Sequence, residues 1–247
     1  MHTPKHPKTG LIFAMQEEQE GLENHIENEK TTVFGQRRFI EGDLWGTSVV
    51  CVLAGIGKVA AAITSTQLIE RFGVSELILT GVAGSADHKV YRGDVVIASE
   101  LLQHDMDASP LFPKYEIPLR GKSKFQTEAK LHTLLKQAAE QFSKENQQAK
   151  VHQGLIASGD QFIHDAKVLH QLKLALPELL AVEMEGAAIA QVCHDFEIPF
   201  AVVRTISDSA NDDALIDFQE FIKTVAAPYN IGILKSFFEL RKLAIQA

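Results

Sequence analysis

Residues 49–84 read VVCVLAGIGKVAAAITSTQLIERFGVSELILTGVAG. Two short apolar runs, Val49 to Leu53 and Leu77 to Leu79, flank an alanine-rich segment from Lys58 to Phe72. Runs of that length, rich in Val, Ile and Leu, suit buried strands. The segment between them suits a helix, with Gly73 placed to cap its C-terminus. Strand, helix and strand in succession imply a mostly parallel or mixed sheet covered on both faces.

The same kind of run recurs outward in both directions. It appears at Leu11 to Ala14, Val95 to Ala98, Leu155 to Ala157, Leu179 to Val182 and Phe200 to Val203. Arg38 to Leu53 reads as two longer strands joined by a turn around Trp45, Gly46 and Thr47. Helical spacing links Leu131, Leu134, Leu135, Ala138 and Phe142, and again Ile189, Val192, Cys193 and Phe196. From Gln219 onward the chain reads as helix with an interruption at Pro228. No long linker, repeat or low-complexity segment divides the 247 residues. The reading is therefore one domain over residues 10–247, after a polar tail over residues 1–9.

Composition narrows the function classes. Hydrophobic residues make up 45% and charged residues 23%, enough apolar content for a sizeable core. The formal net charge of −8 and the lack of any Lys/Arg-rich run argue against nucleic acid as a partner. Arg120 to Lys124, the densest basic stretch, reads as a solvated loop. No stretch approaches a membrane-spanning length, and the first nine residues carry no apolar signal. The expected location is the cytoplasm. Cys51 and Cys193 fall in apolar segments without metal-type spacing and read as buried core thiols.

In open α/β sheets ligands bind beyond the carboxyl ends of the strands. Those ends carry either glycine or charge here: Glu17 and Glu18; Gly55, Ile56, Gly57 and Lys58; Gly81 and Gly84; Ser158 to Ile163; Glu183, Met184 and Glu185; Arg204, Ser207 and Asp208. Each has a plainer reading. Gly55 to Lys58 lacks the glycine spacing of a phosphate loop and reads as a tight strand-to-helix turn lining a pocket. Glu17 and Glu18 alone could serve a helix dipole, and Asp208 alone an N-cap. One of Glu183 and Glu185 could lie at the surface. Arg204 is harder to set aside, because it continues a buried run and needs a partner. The ten histidines show no ligand spacing, and His104, Asp105 and Asp107 read as a polar loop rather than a metal site.

Taken together, the strand ends resemble those of the bacterial 5′-methylthioadenosine/S-adenosylhomocysteine nucleosidases, of the nucleoside phosphorylase/hydrolase superfamily. The resemblance runs from about Gly10 to the C-terminus. It rests on Ala14-Met15-Gln16-Glu17-Glu18, Gly55-Ile56-Gly57-Lys58-Val59, Thr80-Gly81-Val82-Ala83-Gly84, Ser158-Gly159-Asp160-Gln161-Phe162-Ile163, Val182-Glu183-Met184-Glu185 and Arg204-Thr205-Ile206-Ser207-Asp208.

The resemblance implies an α/β fold, a three-layer α/β/α arrangement around a mixed, partly closed β-sheet, and a homodimer. It implies a small-molecule nucleoside substrate and neither metal nor organic cofactor. Glu18 would be the base that activates water and Asp208 the acid that protonates adenine N7. Glu185 would hold the ribose hydroxyls, Met184 would pack on the sugar and Arg204 would position the water. Phe162 would stack on the base and Ile163 would hydrogen-bond it through its backbone. Gly84 would let the backbone approach the ligand, Phe218 would close over it, and Ile56 and Ser207 complete the substrate-binding set.

Three residues and one loop depart from the family's pattern, the loop bearing on substrate preference more than on reaction type. Val82 stands where some members have serine, Ser85 where many have glycine, and Gln16 where an acidic residue is common. The loop from Asp107 to Lys124, which helps form the pocket for the 5′ substituent in such enzymes, also differs. Three alternatives remain at this stage: a phosphorylase of the same fold, a nucleosidase for an aminodeoxyfutalosine-like nucleoside, and a non-catalytic nucleoside-binding module. The first would need cations for a phosphate dianion, where Glu17 and Glu18 stand instead.

Overall fold

The computed structural model describes residues 8–146, 149–210 and 214–246. Most of the expected polar tail, residues 1–7, lies outside them. Along the chain run β1 (Thr9–Phe13), α1 (Gln16–Gln19), a 3-10 turn (Leu22–His25), β2 (Ile26–Phe34), β3 (Arg37–Leu44) and β4 (Thr47–Leu53). Then come α2 (Lys58–Phe72), β5 (Glu76–Ser85), β6 (Val95–Gln103), β7 (Lys124–Gln126), α3 (Ala129–Asn146) and β8 (Val151–Ser158). The chain continues through α4 (Ala166–Ala175), β9 (Leu179–Glu183), α5 (Gly186–Asp195), β10 (Phe200–Asp208), α6 (Ala214–Thr224) and α7 (Ala226–Gln246).

The strands form a single mixed sheet in the order β10-β6-β8-β9-β5-β1-β4-β3-β2, with β7 beside β6. A further pairing of β10 with β5 closes five of them into a ring, and β1, β4, β3 and β2 extend it as an open wing. The expected mixed, partly closed sheet is thus present. Alternation along the central strands sorts side chains onto two faces. Ile12, Val50, Val52, Leu77 and Leu79 join the core built with α2 and α5. Leu11, Phe13, Val49, Cys51 and Ile78 join the core built with α3 and α7. These are the three layers. Cys51 and Cys193 are buried free thiols, as expected.

The alanine-rich segment forms α2 with the expected bounds, and the Gly73 amide closes it onto the carbonyls of Leu68 and Ile69. Trp45 and Gly46 both have positive φ, the geometry of a tight two-residue hairpin between β3 and β4. Two readings change. The C-terminal helical region starts at Ala214 and breaks at Val225, not at Pro228. Pro228 sits in the first turn of α7, where a missing amide hydrogen leaves no bond unmade. Arg120 to Lys124 is also not simply solvated: Arg120 pairs with Asp195, and Lys124 with Glu100 and Glu178. Among the described residues no helix is long and apolar enough to cross a membrane.

Candidate active site

The ends of β1, β5, β9 and β10 converge with the β4–α2 turn, the loop after β8 and α6 around a cavity of about 350 Å³. That volume suits a nucleoside-sized ligand. Glu18, Ile56, Gly84, Phe162, Met184, Glu185, Ser207, Asp208 and Phe218 all line it. Ile163 lies behind, in the wall of a small adjoining cavity shared with Gly84, Phe162 and Asp208. A larger cavity of about 810 Å³ lies between β7 and α5, away from this carboxyl cluster.

Glu18 is held by its own turn. Its Oε2 accepts hydrogen bonds from the amides of Ala14 (2.8 Å) and Met15 (3.0 Å), and Oε1 from the amide of Val82 (3.0 Å). Asn230 of α7 donates to its carbonyl at 2.9 Å. Burial pushes the Glu18 carboxyl above the ordinary glutamate range, while Arg204 and the three amides pull it back. Arg204 thus favours the ionised form, and burial outweighs it.

Arg204 is buried in the middle of β10 and ties three carboxylates together. Its Nη2 donates to Glu183 and, at 2.9 Å, to Glu185 Oε2; its Nη1 stands 3.9 Å from Glu18 Oε1. Burial alone would weaken the guanidinium as a cation, but Glu183, Glu185 and Glu18 hold its pKa above the usual value. Glu185 Oε1 accepts from the Gly57 amide at 2.8 Å. Gly57 has φ +100°, a backbone shape that L side chains rarely adopt and that aims this amide into the site. Burial, reinforced by Glu183 and Glu18, pushes Glu185 up to about 7 against the pull of Arg204 and the Gly57 amide.

Asp208 ends β10. Ser207 Oγ donates to its Oδ2 at 2.7 Å and the Ala210 amide to its Oδ1 at 2.8 Å. Burial raises its pKa in spite of both bonds, the direction expected of a group that must carry a proton. Ser207 lines the cavity with its hydroxyl spent on Asp208. Phe162 is 40% exposed and meets Phe218 edge-on at 5.7 Å, so two rings form one wall. Ile56, 57% exposed, lies at the mouth.

The Gly55-to-Lys58 segment is the strand-to-helix turn expected. Its amides already hold carboxylates: Gly57 binds Glu185, and Lys58 binds Asp160 Oδ1 at 2.8 Å. Lys58 Nζ reaches Asp105 at 2.6 Å, and Asp105 accepts the Asp160 amide at 2.9 Å. The polar loop at His104 and Asp105 is therefore a brace between the β4–α2 turn and the loop after β8. No group of three His, Cys, Asp or Glu among the described residues is arranged to hold a metal ion.

The assigned set omits several residues that the structure adds to the site. Glu183 is not at the surface but buried beside Arg204. Met15, Val82 and Leu215 line the cavity. Leu215 lies three residues before Phe218, on the same face of α6, a spacing that could have marked it.

Residues 8–239 match the family model described as the Phosphorylase superfamily. Over 216 residues, 87% of this chain and 92% of the relative, the sequence is 40% identical to the 5′-methylthioadenosine/S-adenosylhomocysteine nucleosidase of Shewanella sediminis (strain HAW-EB3). The chain belongs to the 5′-methylthioadenosine/S-adenosylhomocysteine nucleosidase family. Its fold is similar to that of the family member from Neisseria meningitidis in complex with methylthio-immucillin-A, with TM-score 0.86 and 37% identity over 94% of this chain and 98% of the other. It is also similar to futalosine hydrolase of Helicobacter pylori strain 26695, with TM-score 0.85 and 32% identity over 94% and 97%. Val82 serves Glu18 through its amide, not its side chain.

Proposed function

We propose that this chain hydrolyses the N-ribosidic bond of 5′-methylthioadenosine and S-adenosylhomocysteine, releasing adenine and the 5′-thioribose product. The observation that carries this reading is the cavity wall itself, which gathers Glu18, Glu183 and Glu185 around one buried guanidinium and carries Asp208 on the same wall. Cleavage builds positive charge on the sugar and negative charge on the departing base. Glu185 stabilises the cationic sugar and accepts the ribose hydroxyls. Asp208, whose pKa burial raises, delivers a proton to N7 of adenine. Glu18 draws a proton from the attacking water, which Arg204 helps to position. Two carboxyl groups sharing acid and base work is the logic of glycoside hydrolysis.

The same wall disfavours phosphate. A dianion needs free cations or a dense set of free amides, whereas Arg204 is already shared by carboxylates and the α2 amides hold Glu185 and Asp160. Phe162 and Phe218 supply the stacking wall for the base, Ile163 a backbone contact to it, and Ile56 and Met184 the sugar and 5′ side. Residues 10–247 act as one unit in the cytoplasm. Two copies pair through an exposed apolar stripe of Ile56, Val59 and Ile63, of which Ile56 lines the cavity; light scattering on the pure protein checks this. The likeness to a futalosine hydrolase supports a second reading, an aminodeoxyfutalosine-like nucleoside as substrate.

The test is adenine release from methylthioadenosine in phosphate-free buffer, with Glu18→Gln and Asp208→Asn alongside. Each variant should lose roughly a hundred- to ten-thousand-fold in rate. Release only after phosphate is added would make the chain a phosphorylase. Release only from the futalosine-type nucleoside would select the second reading, and binding without release would leave a nucleoside-binding module.

A further inference from the structure

Glu183 walls the cavity, yet its carboxylate has nothing left to offer a ligand. Oε1 accepts from Ser158 Oγ and, at 3.0 Å, from the Gly186 amide. Oε2 accepts from Arg204 Nη2, from the Gly186 amide at 2.9 Å and from the Glu185 amide at 3.2 Å. A carboxylate has about four lone-pair sites, and protein donors fill them. Any influence of Glu183 on the reaction therefore passes through the groups it holds.

Those groups are informative. Glu185 occupies the N-cap position of α5, where a side chain ordinarily turns back to accept from the first-turn amides. Glu185 makes no such bond. The amide of Gly186 goes to Glu183, and that of Ala187 goes to Ser158 Oγ at 2.7 Å. Capping is delegated to two residues outside the helix, and the Glu185 carboxylate is released to meet Arg204 and the Gly57 amide. Glu183 also shares Arg204 Nη2 with Glu185. The other terminal nitrogen, Nη1, is buried with no hydrogen-bond partner among the described residues and faces Glu18.

We propose that Glu183 and Ser158 are a positioning pair: they cap α5 in place of Glu185 and hold Arg204, so that both face the reacting sugar and water. This rests on the nucleosidase reading above. Glu183 contributes charge as well as shape. The charged groups facing Glu185 are Arg204 from β10, Glu183 from β9 and Glu18 from α1, while Lys58 of α2 is turned away to Asp105. Of these, Glu183 and Glu18 disfavour the ionised form of Glu185.

The experiment measures adenine release from methylthioadenosine by wild type, Glu183→Gln and Ser158→Ala between pH 5 and pH 9, with thermal unfolding of each. Glu183→Gln should lower kcat roughly ten- to a hundred-fold, the scale of a misplacement of about an ångström, with KM changed far less. Its acid limb in kcat/KM should move to lower pH, because a carboxylate that opposed ionisation of Glu185 is gone. Ser158→Ala removes no charge, so it should lower kcat roughly three- to ten-fold by the same misplacement and leave the limb in place. Folded variants with wild-type kcat and an unmoved limb overturn the proposal while leaving the nucleosidase reading intact. If Glu183→Gln does not fold, Ser158→Ala decides: a lowered kcat supports the pair and a wild-type kcat overturns it. No release by the wild type overturns the nucleosidase reading and this proposal together.

Discussion

Arg204 Nη1 stands 3.9 Å from Glu18 Oε1, and the two groups meet over the Cα of Gly81, where a methyl group would overlap both. Glu18 and Arg204 can share one locus only because residue 81 has no side chain. Gly81→Ala should force them apart or shift β5. Overpacking of this kind costs about 1–3 kcal/mol of stability, and displacing the water site should lower kcat by roughly a hundred-fold. Adenine-release kinetics with thermal unfolding check both effects; a folded variant of normal kcat would show that Glu18 and Arg204 need not meet there.

The pH dependence of kcat/KM should report the carboxyl cluster, since this ratio follows the free enzyme. In the proposed reaction Glu185 must be ionised to accept two ribose hydroxyls, and burial with its carboxylate neighbours pushes it up to about 7. Activity should therefore fall away on the acid side of about pH 7 rather than near the ordinary glutamate range. In Glu185→Gln the residual activity should lack that limb. A wild-type limb near pH 4 would separate Glu185 from the rate.

The site was legible in the sequence where buried strands ended in charge. All nine residues of β10 are buried, so Arg204 and Asp208 in Phe200–Asp208 had to be either paired or functional. The edge strand β2 left no such mark. IENEKTTVF is mostly exposed and carries no buried alternation, because an edge strand of the wing packs little against either layer. The residue pattern alone likewise did not separate Glu183 from Glu185; only the family resemblance singled out Glu185. Both follow one apolar run, and only the chain path at the start of α5 turns one carboxylate into a cap and the other toward the cavity. The break at Val225 escaped notice because Pro228 is the stronger breaker in sequence yet is harmless in a first turn.

Glu185 should also cost the protein stability at neutral pH and above. Its folded-state pKa is raised from 4.5 to about 7, so the folded chain holds this proton more tightly than the unfolded chain. The resulting stabilisation is fully present below about pH 4.5 and is lost as pH rises through 7, a change of roughly 3 kcal/mol by linkage. Glutamine at 185 cannot ionise and escapes that loss. The difference in Tm between Glu185→Gln and wild type should therefore grow in favour of the variant from pH 5 to pH 8. A difference that stays constant over this range would mean that Glu185 does not titrate in it.

Arg92 should govern substrate affinity without touching substrate. Its Nη1 pairs with Asp217 at 3.2 Å and its Nη2 with Glu220 at 3.0 Å, both on the helix that carries Leu215 and Phe218 over the cavity. The pair is partly exposed, and such ion pairs contribute about 0–1 kcal/mol to global stability. Their effect should instead fall on the placement of α6, which is also held by a small apolar cluster that includes Phe221, Ile222, Val82 and Ala226. Arg92→Ala should raise KM by up to about five-fold, since 1 kcal/mol is a factor of about five, with kcat changed less, because Arg92 touches none of Glu18, Glu185 and Asp208 and acts on Asp208 only as the smallest of the influences on its pKa. High salt should mimic the substitution in the wild type and have little further effect on the variant, because exposed pairs are screened. A variant in which kcat falls while KM holds would instead place Arg92 in the chemistry rather than in the closure of α6.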